Sequence, residues 1–272
     1  MAEVVVVTSG KGGVGKTTST AALGAALARD GDKVVVVDFD VGLRNLDLVM
    51  GAERRVVYDL INVVNGDAKL AQALIRDKRN ENLALLPASQ TRDKDSLTPE
   101  GVARVIGELR EKFDWVICDS PAGIERGATL AMRHADVAVI VTNPEVSAVR
   151  DSDRIIGLLD SKTEKAEKGE KMEKLLLLTR YDAARAQRGE MLKTEDVLEI
   201  LSIPLLGIIP ESQEVLRASN LGTPVTLANT SSAPAKAYFD AARRLRGEAV
   251  TMAVPAAKKS LFGMLFGRRA AA

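Results

Sequence analysis

Seven short apolar runs separate longer helical patterns along this chain, and their continuity limits the folds that it can adopt. They are VVVV at 4–7, VVVVD at 34–38, LALLP at 83–87, WVICD at 115–119, VAVIVT at 137–142, LLLLT at 175–179 and LLGIIP at 205–210. A strand with one face in water alternates polar and apolar residues, whereas these runs suit a sheet covered on both faces. Helical composition is found between them, at 16–30, 99–112, 145–160 and 232–247. The pattern predicts an α/β fold: a doubly wound, mostly parallel sheet with helices on both faces.

Composition favours one main globular domain, since 46% of the 272 residues are hydrophobic and 28% are charged. The cations of the last fifteen residues are the only charged groups after Glu248, so residues 1–248 carry a net charge of −3 against +1 for the whole chain. A weakly acidic body argues against a surface that binds nucleic acid in general. The apolar runs fall far short of the roughly 18 residues that span a bilayer, and the first residues lack the basic start of a secretory signal. We therefore expect a cytoplasmic protein.

The first apolar run leads into a glycine-rich segment with a specific chemistry. Its residues satisfy the pattern G-x-x-x-x-G-K-[ST] between a predicted strand and a predicted helix. In such a loop backbone N–H groups surround phosphates, the lysine Lys16 reaches the terminal oxygens, and the hydroxyl of Thr17 binds Mg²⁺. The predicted nucleotide-binding residues of this segment are Gly10, Lys11, Gly12, Gly13, Val14, Gly15, Lys16, Thr17 and Thr18.

Three aspartates lie at the ends of two of the apolar runs: Asp38 and Asp119 are the last residues of their runs, and Asp40 comes two positions after Asp38. Carboxylates at the carboxyl ends of parallel strands face the crevice where such sheets bind ligands. We expect Asp119 to hold a hydrated magnesium ion together with Thr17, with Asp38 as a further metal ligand. Asp40 could orient the attacking water, because phosphoryl transfer depends mainly on positioning and charge stabilisation. Each aspartate taken alone could instead serve as a cap or turn residue.

The full string KGGVGKTT resembles the deviant Walker A motif of the MinD/ParA family of ATPases. That resemblance implies that Lys11 crosses a dimer interface to the partner's nucleotide and neutralises transition-state charge as an arginine finger does. It makes Lys11, Lys16, Asp40 and Asp119 the candidate catalytic residues. An exposed lysine in a weak surface ion pair is the other interpretation of Lys11.

Further blocks, DFDVGLRNLDLVMG, CDSPAGIE, TNPEVSAVRDSDRIIG and GIIPESQEVLRASNLGTPV, resemble the branch of this family that selects the bacterial division site. The resemblance implies an ATP-dependent homodimer with Asn45 in a segment facing the nucleotide and Arg180, Pro210 and Glu211 near the adenine. It also implies that a helix starting near residue 145 receives a MinC-like inhibitor and a MinE-like activator. The residues expected on that surface are Ser147, Arg150, Asp151 and Asp153, although a helix of this composition can simply be a solvated face.

The end of the chain changes in composition, which predicts an ATPase domain at 1–248, a flexible linker at 249–256 and a membrane-targeting segment at 257–272. On a helix its apolar side chains cover an arc of about 200°. They are Leu261, Phe262, Met264, Leu265 and Phe266. Flanking cations could bind anionic headgroups; they are Lys258, Lys259, Arg268 and Arg269. The alternative is a terminal helix packed against protein.

Two other classes compete with a division-site switch. A ParA-like DNA-partitioning ATPase shares the loop, but it would bind nonspecific DNA. A metal-cluster carrier or a reductase component would need several cysteines, and Cys118 is the only one. We expect an inert core thiol at Cys118 and no special role for His134. The predicted cofactors are ATP and Mg²⁺, and the predicted location is the cytoplasm and the cytoplasmic face of the inner membrane, on anionic lipids.

Overall fold

The computed structural model describes residues 2–92 and 96–255, and the strands in these ranges form one eight-stranded sheet. The strands are β1 (Glu3–Thr8), β2 (Val34–Asp38), β3 (Ile75–Arg76), β4 (Leu83–Leu86), β5 (Trp115–Asp119), β6 (Val137–Thr142), β7 (Glu173–Tyr181) and β8 (Leu205–Pro210). Their order is β3-β4-β2-β5-β1-β6-β7-β8. Only the β3–β4 pairing is antiparallel among these strands. The predicted mostly parallel sheet is confirmed, and the two-residue β3 is an addition to it.

Helices connect the strands and cover the sheet. They are α1 (Lys16–Arg29), α2 (Leu46–Val49), α3 (Leu60–Asn65), α4 (Leu70–Ala73), α5 (Pro99–Arg110), α6 (Arg126–Arg133), α7 (Val146–Lys162), α8 (Glu164–Glu167), α9 (Ala183–Gln187), α10 (Thr194–Leu201), α11 (Gln213–Asn220), α12 (Val225–Ala228) and α13 (Ala233–Leu245), with a 3₁₀ turn at Glu53–Arg55. The four predicted helical segments correspond to α1, α5, α7 and α13. Across the described residues, none of the helices is both long enough and apolar enough to cross a membrane.

The central strand β1 explains why the apolar runs are continuous. Val4 and Val6 pack into a core shared with α3, α5 and α7. Val5 and Val7 point the other way, into a second core shared with α1 and α13. Successive side chains of a strand face opposite sides of the sheet, so the whole run from Val4 to Val7 in β1 is apolar because both sides are covered.

The carboxyl ends of β1, β2 and β5 meet at one edge of the sheet. Asp38 and Asp119 are paired in register on the adjacent strands β2 and β5. The chain segments that follow these strands are joined by backbone hydrogen bonds, from Phe39 N–H to the Asp119 carbonyl (3.0 Å) and from Gly123 N–H to the Ser9 carbonyl (3.1 Å). The topology therefore brings the glycine-rich segment and the acidic strand ends together.

Two residues to which the sequence assigned no function lie in ordinary structural positions. Cys118 is buried in β5, and burial raises the pKa of its thiol to about 12, which makes it a poor nucleophile. His134 ends α6, and its Nδ1 lies 2.9 Å from the Glu164 carboxylate.

Arg244 on α13 holds the first residues of the predicted linker. Its guanidinium donates hydrogen bonds to the carbonyls of Leu206 on β8 (2.9 Å), Val250 (3.0 Å) and Thr251 (2.8 Å). The start of the predicted linker is thus fastened to the edge strand of the sheet. Residues 257–272, which contain all the predicted membrane contacts, lie outside the described residues.

Arg246 fastens the end of α13 to the turn between α1 and β2. Its guanidinium contacts the carboxylates of Asp30 (2.8 Å) and Asp32 (2.6 Å) and donates to the Leu27 carbonyl (3.0 Å). Asp32 also accepts a hydrogen bond from the indole N–H of Trp115 (3.0 Å). A planar, forked cation can reach all these acceptors at once.

We expect Arg246→Lys to lower the free energy of unfolding by about 2 kcal/mol, because an ammonium group loses the forked geometry. Arg243→Lys is the matched control on the same helix, since Arg243 is half exposed and pairs with Glu248 at the surface. It should change the free energy of unfolding much less than Arg246→Lys does, because water and salt screen a surface ion pair. Urea unfolding measures both variants, and equal losses would contradict the role given to Arg246.

Candidate active site

The glycine-rich loop occupies residues 9–15, between the end of β1 and the start of α1. Gly13 and Gly15 have φ angles of 77° and 98°, a left-handed conformation that side chains with a Cβ rarely adopt. Gly10 is required for a different reason. A Cβ at Gly10 would lie 2.2 Å from the backbone oxygen of Asp151, so the loop packs directly on the backbone of α7.

Lys16 is the first residue of α1 and is only 8% exposed. Burial lowers the pKa of its ammonium group, and the nearby carboxylates Asp119 and Asp40 raise it in turn. Lys16 and Thr17 line a cavity of about 620 Å³ together with Asp40 and Asn45. A cation at the start of a helix, surrounded by loop backbone, is suited to binding phosphate.

Asp119 is buried at the end of β5 and accepts a hydrogen bond from the Thr20 hydroxyl (3.2 Å). Burial raises the pKa of its carboxyl to about 6, although a hydrogen bond from Thr17 and the charge of Lys16 oppose the shift. A bound divalent cation would favour the ionised form of this group. Its position next to Thr17 therefore fits a magnesium site.

Asp38 is fully buried, and its carboxylate accepts hydrogen bonds from the backbone N–H groups of Asp40 (2.8 Å) and Leu46 (3.2 Å). Burial raises its pKa well above the usual range, and the neighbouring Asp119 adds to the shift. These contacts fix the segment that carries Asp40 and Asn45. The predicted role of Asp38 as a metal ligand stays a prediction, and its observed contacts are with the backbone of that segment.

No cluster of three or more His, Cys, Asp or Glu side chains within residues 2–92 and 96–255 could hold a metal ion by itself. Magnesium does not require one, because it usually keeps several waters and binds one or two carboxylates together with phosphate oxygens. The oxygen donors of Thr17 and Asp119 fit that mode of binding.

A second cavity, of about 330 Å³, adjoins the first. The two share Gly15, Thr18 and Arg180 in their walls. Arg180 has a φ angle of 53°, an uncommon conformation for a residue with a side chain, at an irregularity in the β7–β8 pairing. Pro210 and Glu211, which the family resemblance places near the adenine, line the second cavity. A phosphate cavity continuous with a more apolar one suits a nucleotide.

Sequence reasoning missed several residues of these walls. Pro121 and Glu125 line the phosphate cavity. Both belong to the block CDSPAGIE, which carries part of the family resemblance and could have pointed to them. Val215 and Tyr238 line the second cavity. Val215 belongs to the block GIIPESQEVLRASNLGTPV, which could likewise have pointed to it, whereas nothing in the local sequence of Tyr238 indicates a ligand.

Lys11 lies outside both cavities, with 43% of its side chain exposed. Its ammonium group is 3.1 Å from the Glu145 carboxylate and 3.3 Å from the Ser147 hydroxyl, at the start of α7. Further along the same helix Arg150 and Asp153 are exposed and Asp151 is half-buried. The structure thus brings Lys11 to the surface that the sequence proposed for partners.

Sequence and structure comparisons give the chain its relatives. The profile of the CobQ/CobB/MinD/ParA nucleotide-binding domain matches residues 5–225. The chain belongs to this family. It is 60% identical to the septum site-determining protein MinD of Neisseria meningitidis, over 98% of this chain and 100% of that protein. This family is the one that the glycine-rich loop indicated.

Two solved structures have the same fold. The MinC:MinD cell division complex of Aquifex aeolicus has a chain with a TM-score of 0.84 and 42% identity, covering 93% of this chain and 99% of that one. MinD of Pyrococcus horikoshii, solved with Mg-ADP, gives a TM-score of 0.79 and 33% identity, covering 90% and 96%.

These likenesses confirm several predictions at once. The fold is that of a nucleotide-binding ATPase of the MinD/ParA family, and the protein is an ATPase that acts in selecting the bacterial division site. Nucleotide binding is confirmed with it. The DNA-partitioning alternative is less supported, because the relatives at 60% identity determine the septum site. The roles given to individual site residues stay predictions.

We expect Gly10→Ala to weaken nucleotide binding at least tenfold, because an added methyl group would collide with the α7 backbone and displace the loop. The control is Gly157→Ala on α7, where the added Cβ meets open space. That change should raise the free energy of unfolding by about 0.5–1 kcal/mol and leave binding unchanged. Titration with a fluorescent ADP analogue checks both variants; Gly10→Ala with wild-type affinity would contradict the packing argument.

Proposed function

We propose that the chain is a switch that binds ATP with Mg²⁺, forms a homodimer in that state and attaches to anionic lipid on the cytoplasmic face of the membrane until it hydrolyses the nucleotide. One observation carries the proposal: Lys16 is buried in the phosphate cavity, whereas the second lysine of the loop, Lys11, points away from it at the surface. A lysine in that position is available to a second chain. The confirmed family membership supports assigning it that role.

The surface around Lys11 also fits a protein partner. Exposed apolar side chains lie in the segments that surround the loop: Leu43 at 67%, Ile124 at 63% and Val146 at 52% exposure. Leu43 lines the phosphate cavity, and Val146 is adjacent in sequence to the Lys11 partner Glu145. Exposed apolar groups around a functional cavity are typical of an interface.

The present contacts of Lys11 do not oppose such a role. An ion pair between two half-exposed groups contributes about 1 kcal/mol or less, because water and salt screen it. Exchanging the Glu145 carboxylate for a triphosphate therefore costs little. In the proposed dimer Lys11 would stabilise charge on the transferred phosphoryl group, an effect of about 10³–10⁵ in rate for arginine fingers.

The chain's own residues supply the rest of the chemistry. Lys16 and the loop N–H groups would bind the phosphates, and Thr17 and Asp119 would hold the magnesium ion, which neutralises charge on the phosphates when bound. Asp40, which lines the phosphate cavity, would orient the attacking water. Its backbone is fixed by Asp38, which gives the carboxylate a defined position.

We expect Lys11→Ala to stay monomeric with Mg-ATP while it still binds nucleotide. The chain's own site keeps Lys16, whereas the contact that Lys11 would make with the nucleotide of the second chain is lost. Glu145→Gln is the matched control: it removes the present partner of Lys11 and keeps the lysine. That variant should dimerise. Light scattering with Mg-ATP and with Mg-ADP measures both, and an ATP-dependent dimer of Lys11→Ala would overturn the assignment.

The membrane step rests on the segment at 257–272. A short amphipathic helix binds lipid weakly, whereas two helices joined in one dimer gain about 10²–10⁴ in avidity. Lipid attachment would therefore follow the nucleotide state. Hydrolysis would separate the chains and release both segments from the membrane.

We expect Phe262→Glu to abolish ATP-dependent sedimentation with phosphatidylglycerol-containing vesicles, because a charge would enter the apolar arc. Phe262→Leu keeps the apolar character and should sediment nearly as the wild type does. The comparison uses ATP, ADP and no nucleotide, with ATP binding measured separately. Undiminished sedimentation of Phe262→Glu would exclude this segment as the anchor.

The exposed face of α7 is the proposed docking site for a MinC-like inhibitor and a MinE-like activator. The Aquifex relative was solved as a MinC:MinD complex, which supports an inhibitor as one partner. On this chain Ser147, Arg150 and Asp153 are exposed, and Asp151 packs against the phosphate loop through its backbone. A protein bound here would contact the helix that touches the nucleotide loop.

A further inference from the structure

The side chain of Thr179, near the carboxyl end of β7, contacts the phosphate loop. The residue is 4% exposed. Its hydroxyl oxygen lies 2.7 Å from the Val14 carbonyl, 3.2 Å from the Thr142 carbonyl and 3.0 Å from the side-chain oxygen position of Asn143. One buried hydroxyl thus connects the phosphate loop with the carboxyl ends of two strands.

A hydroxyl has one proton, so it can donate to only one of these three neighbours. The Val14 carbonyl is the nearest and can only accept, and we assign the proton to it. The Asn143 amide then satisfies the hydroxyl by presenting its nitrogen, since the two ends of an amide are interchangeable in shape. With that orientation the contacts with Val14 and Asn143 each have a donor and an acceptor, and the longer contact with the Thr142 carbonyl (3.2 Å) carries no proton.

The bond to Val14 fixes the direction of the next N–H group. A trans peptide is planar, and its C=O and N–H point in opposite directions. When the Val14 carbonyl faces Thr179, the N–H of Gly15 must point away from β7. Gly15 lines the phosphate cavity, has a φ angle of 98° and has no side chain that could restrain its peptide.

We infer that Thr179 is a positioning residue for phosphate binding: its hydroxyl holds the Val14–Gly15 peptide so that the Gly15 N–H faces a bound phosphate. The role is exerted through Val14, because the hydroxyl proton is already donated to that carbonyl. The inference rests on the nucleotide site alone and is independent of the dimer and of the membrane segment.

The same network reaches the start of α7. The Asn143 carbonyl accepts a hydrogen bond from the Glu145 N–H (2.8 Å), immediately before the helix begins. Thr179 therefore braces the phosphate loop against a rigid point shared by β6, β7 and α7. Such a brace keeps the peptide oriented before the ligand arrives, which lowers the entropy lost on binding.

The test compares Thr179→Val with Thr179→Ser. Valine keeps the shape and removes the donor, whereas serine restores the hydroxyl. The matched control is Thr226→Val, because Thr226 is equally buried and donates to the Ala22 carbonyl (3.0 Å) in the middle of α1, away from the loop. Binding of Mg-ADP, the KM and kcat for ATP, and thermal unfolding are measured for each.

We expect Thr179→Val to raise the Kd for Mg-ADP and the KM for ATP about tenfold, with kcat changed less than about twofold, because the Gly15 N–H contact serves ground state and transition state alike. Thr179→Ser should bind nearly as the wild type does. Thr226→Val should lose similar thermal stability and keep its affinity.

Three results would overturn the inference: wild-type affinity in Thr179→Val, equal loss of affinity in Thr226→Val, or no recovery in Thr179→Ser. If Thr179→Val does not fold, Thr179→Ala takes its place, with the same expected Kd and the same contradicting results. A failed dimer or vesicle experiment with normal behaviour of these variants would contradict only the proposed function.

Discussion

The site depends on opposite charges buried in a small space at one edge of the sheet. Lys16 loses hydration in this position, and so do the carboxylates of Asp119 and Asp38, as the direction of each pKa shift indicates. Taking isolated charges from water is costly, so these groups are tolerable only near one another. Such a region suits a ligand that itself carries both signs of charge, because the carboxylates attract a metal ion and the lysine attracts phosphates.

The pairing of strands is what brings these groups together. The two aspartates come from runs separated by about eighty residues, yet β2 and β5 place them side by side in register. The loop is added by β1, which lies next to β5 in the sheet. Since all three strands are parallel, their carboxyl ends meet at the same edge. The order and direction of the strands therefore determine where the loop and the two aspartates meet.

The sequence was sufficient to predict the strands and helices that have a long, regular pattern of apolar residues. Seven strands and the helices α1, α5, α7 and α13 follow from continuous apolar runs and helical spacing. The short helices and β3 were missed because two to eight residues carry little periodicity. The phosphate loop could be predicted because its residues are consecutive. The position of Tyr238 in the second cavity and the contact between Lys11 and Glu145 could not be predicted, because each joins segments more than a hundred residues apart.

The phosphate loop and α7 touch at separate points, which ties the two together mechanically. Gly10 packs on the Asp151 backbone, and Lys11 pairs with Glu145 at the start of the helix. A displacement of α7 would move the loop as well, because a packed interface with no room for a methyl group transmits small movements. The helix therefore links the outer surface with the nucleotide cavity over a short distance.

The hydrogen bond from Arg244 to the Thr251 carbonyl also limits how far the chain after Thr251 can reach. Leu261 follows Thr251 by ten positions, and an extended chain covers at most about 36 Å over ten steps. The point at which an apolar tail could enter a bilayer is therefore confined to a radius of that size around the β8 edge. In the proposed membrane-bound dimer, both of these edges would lie within that distance of the lipid surface.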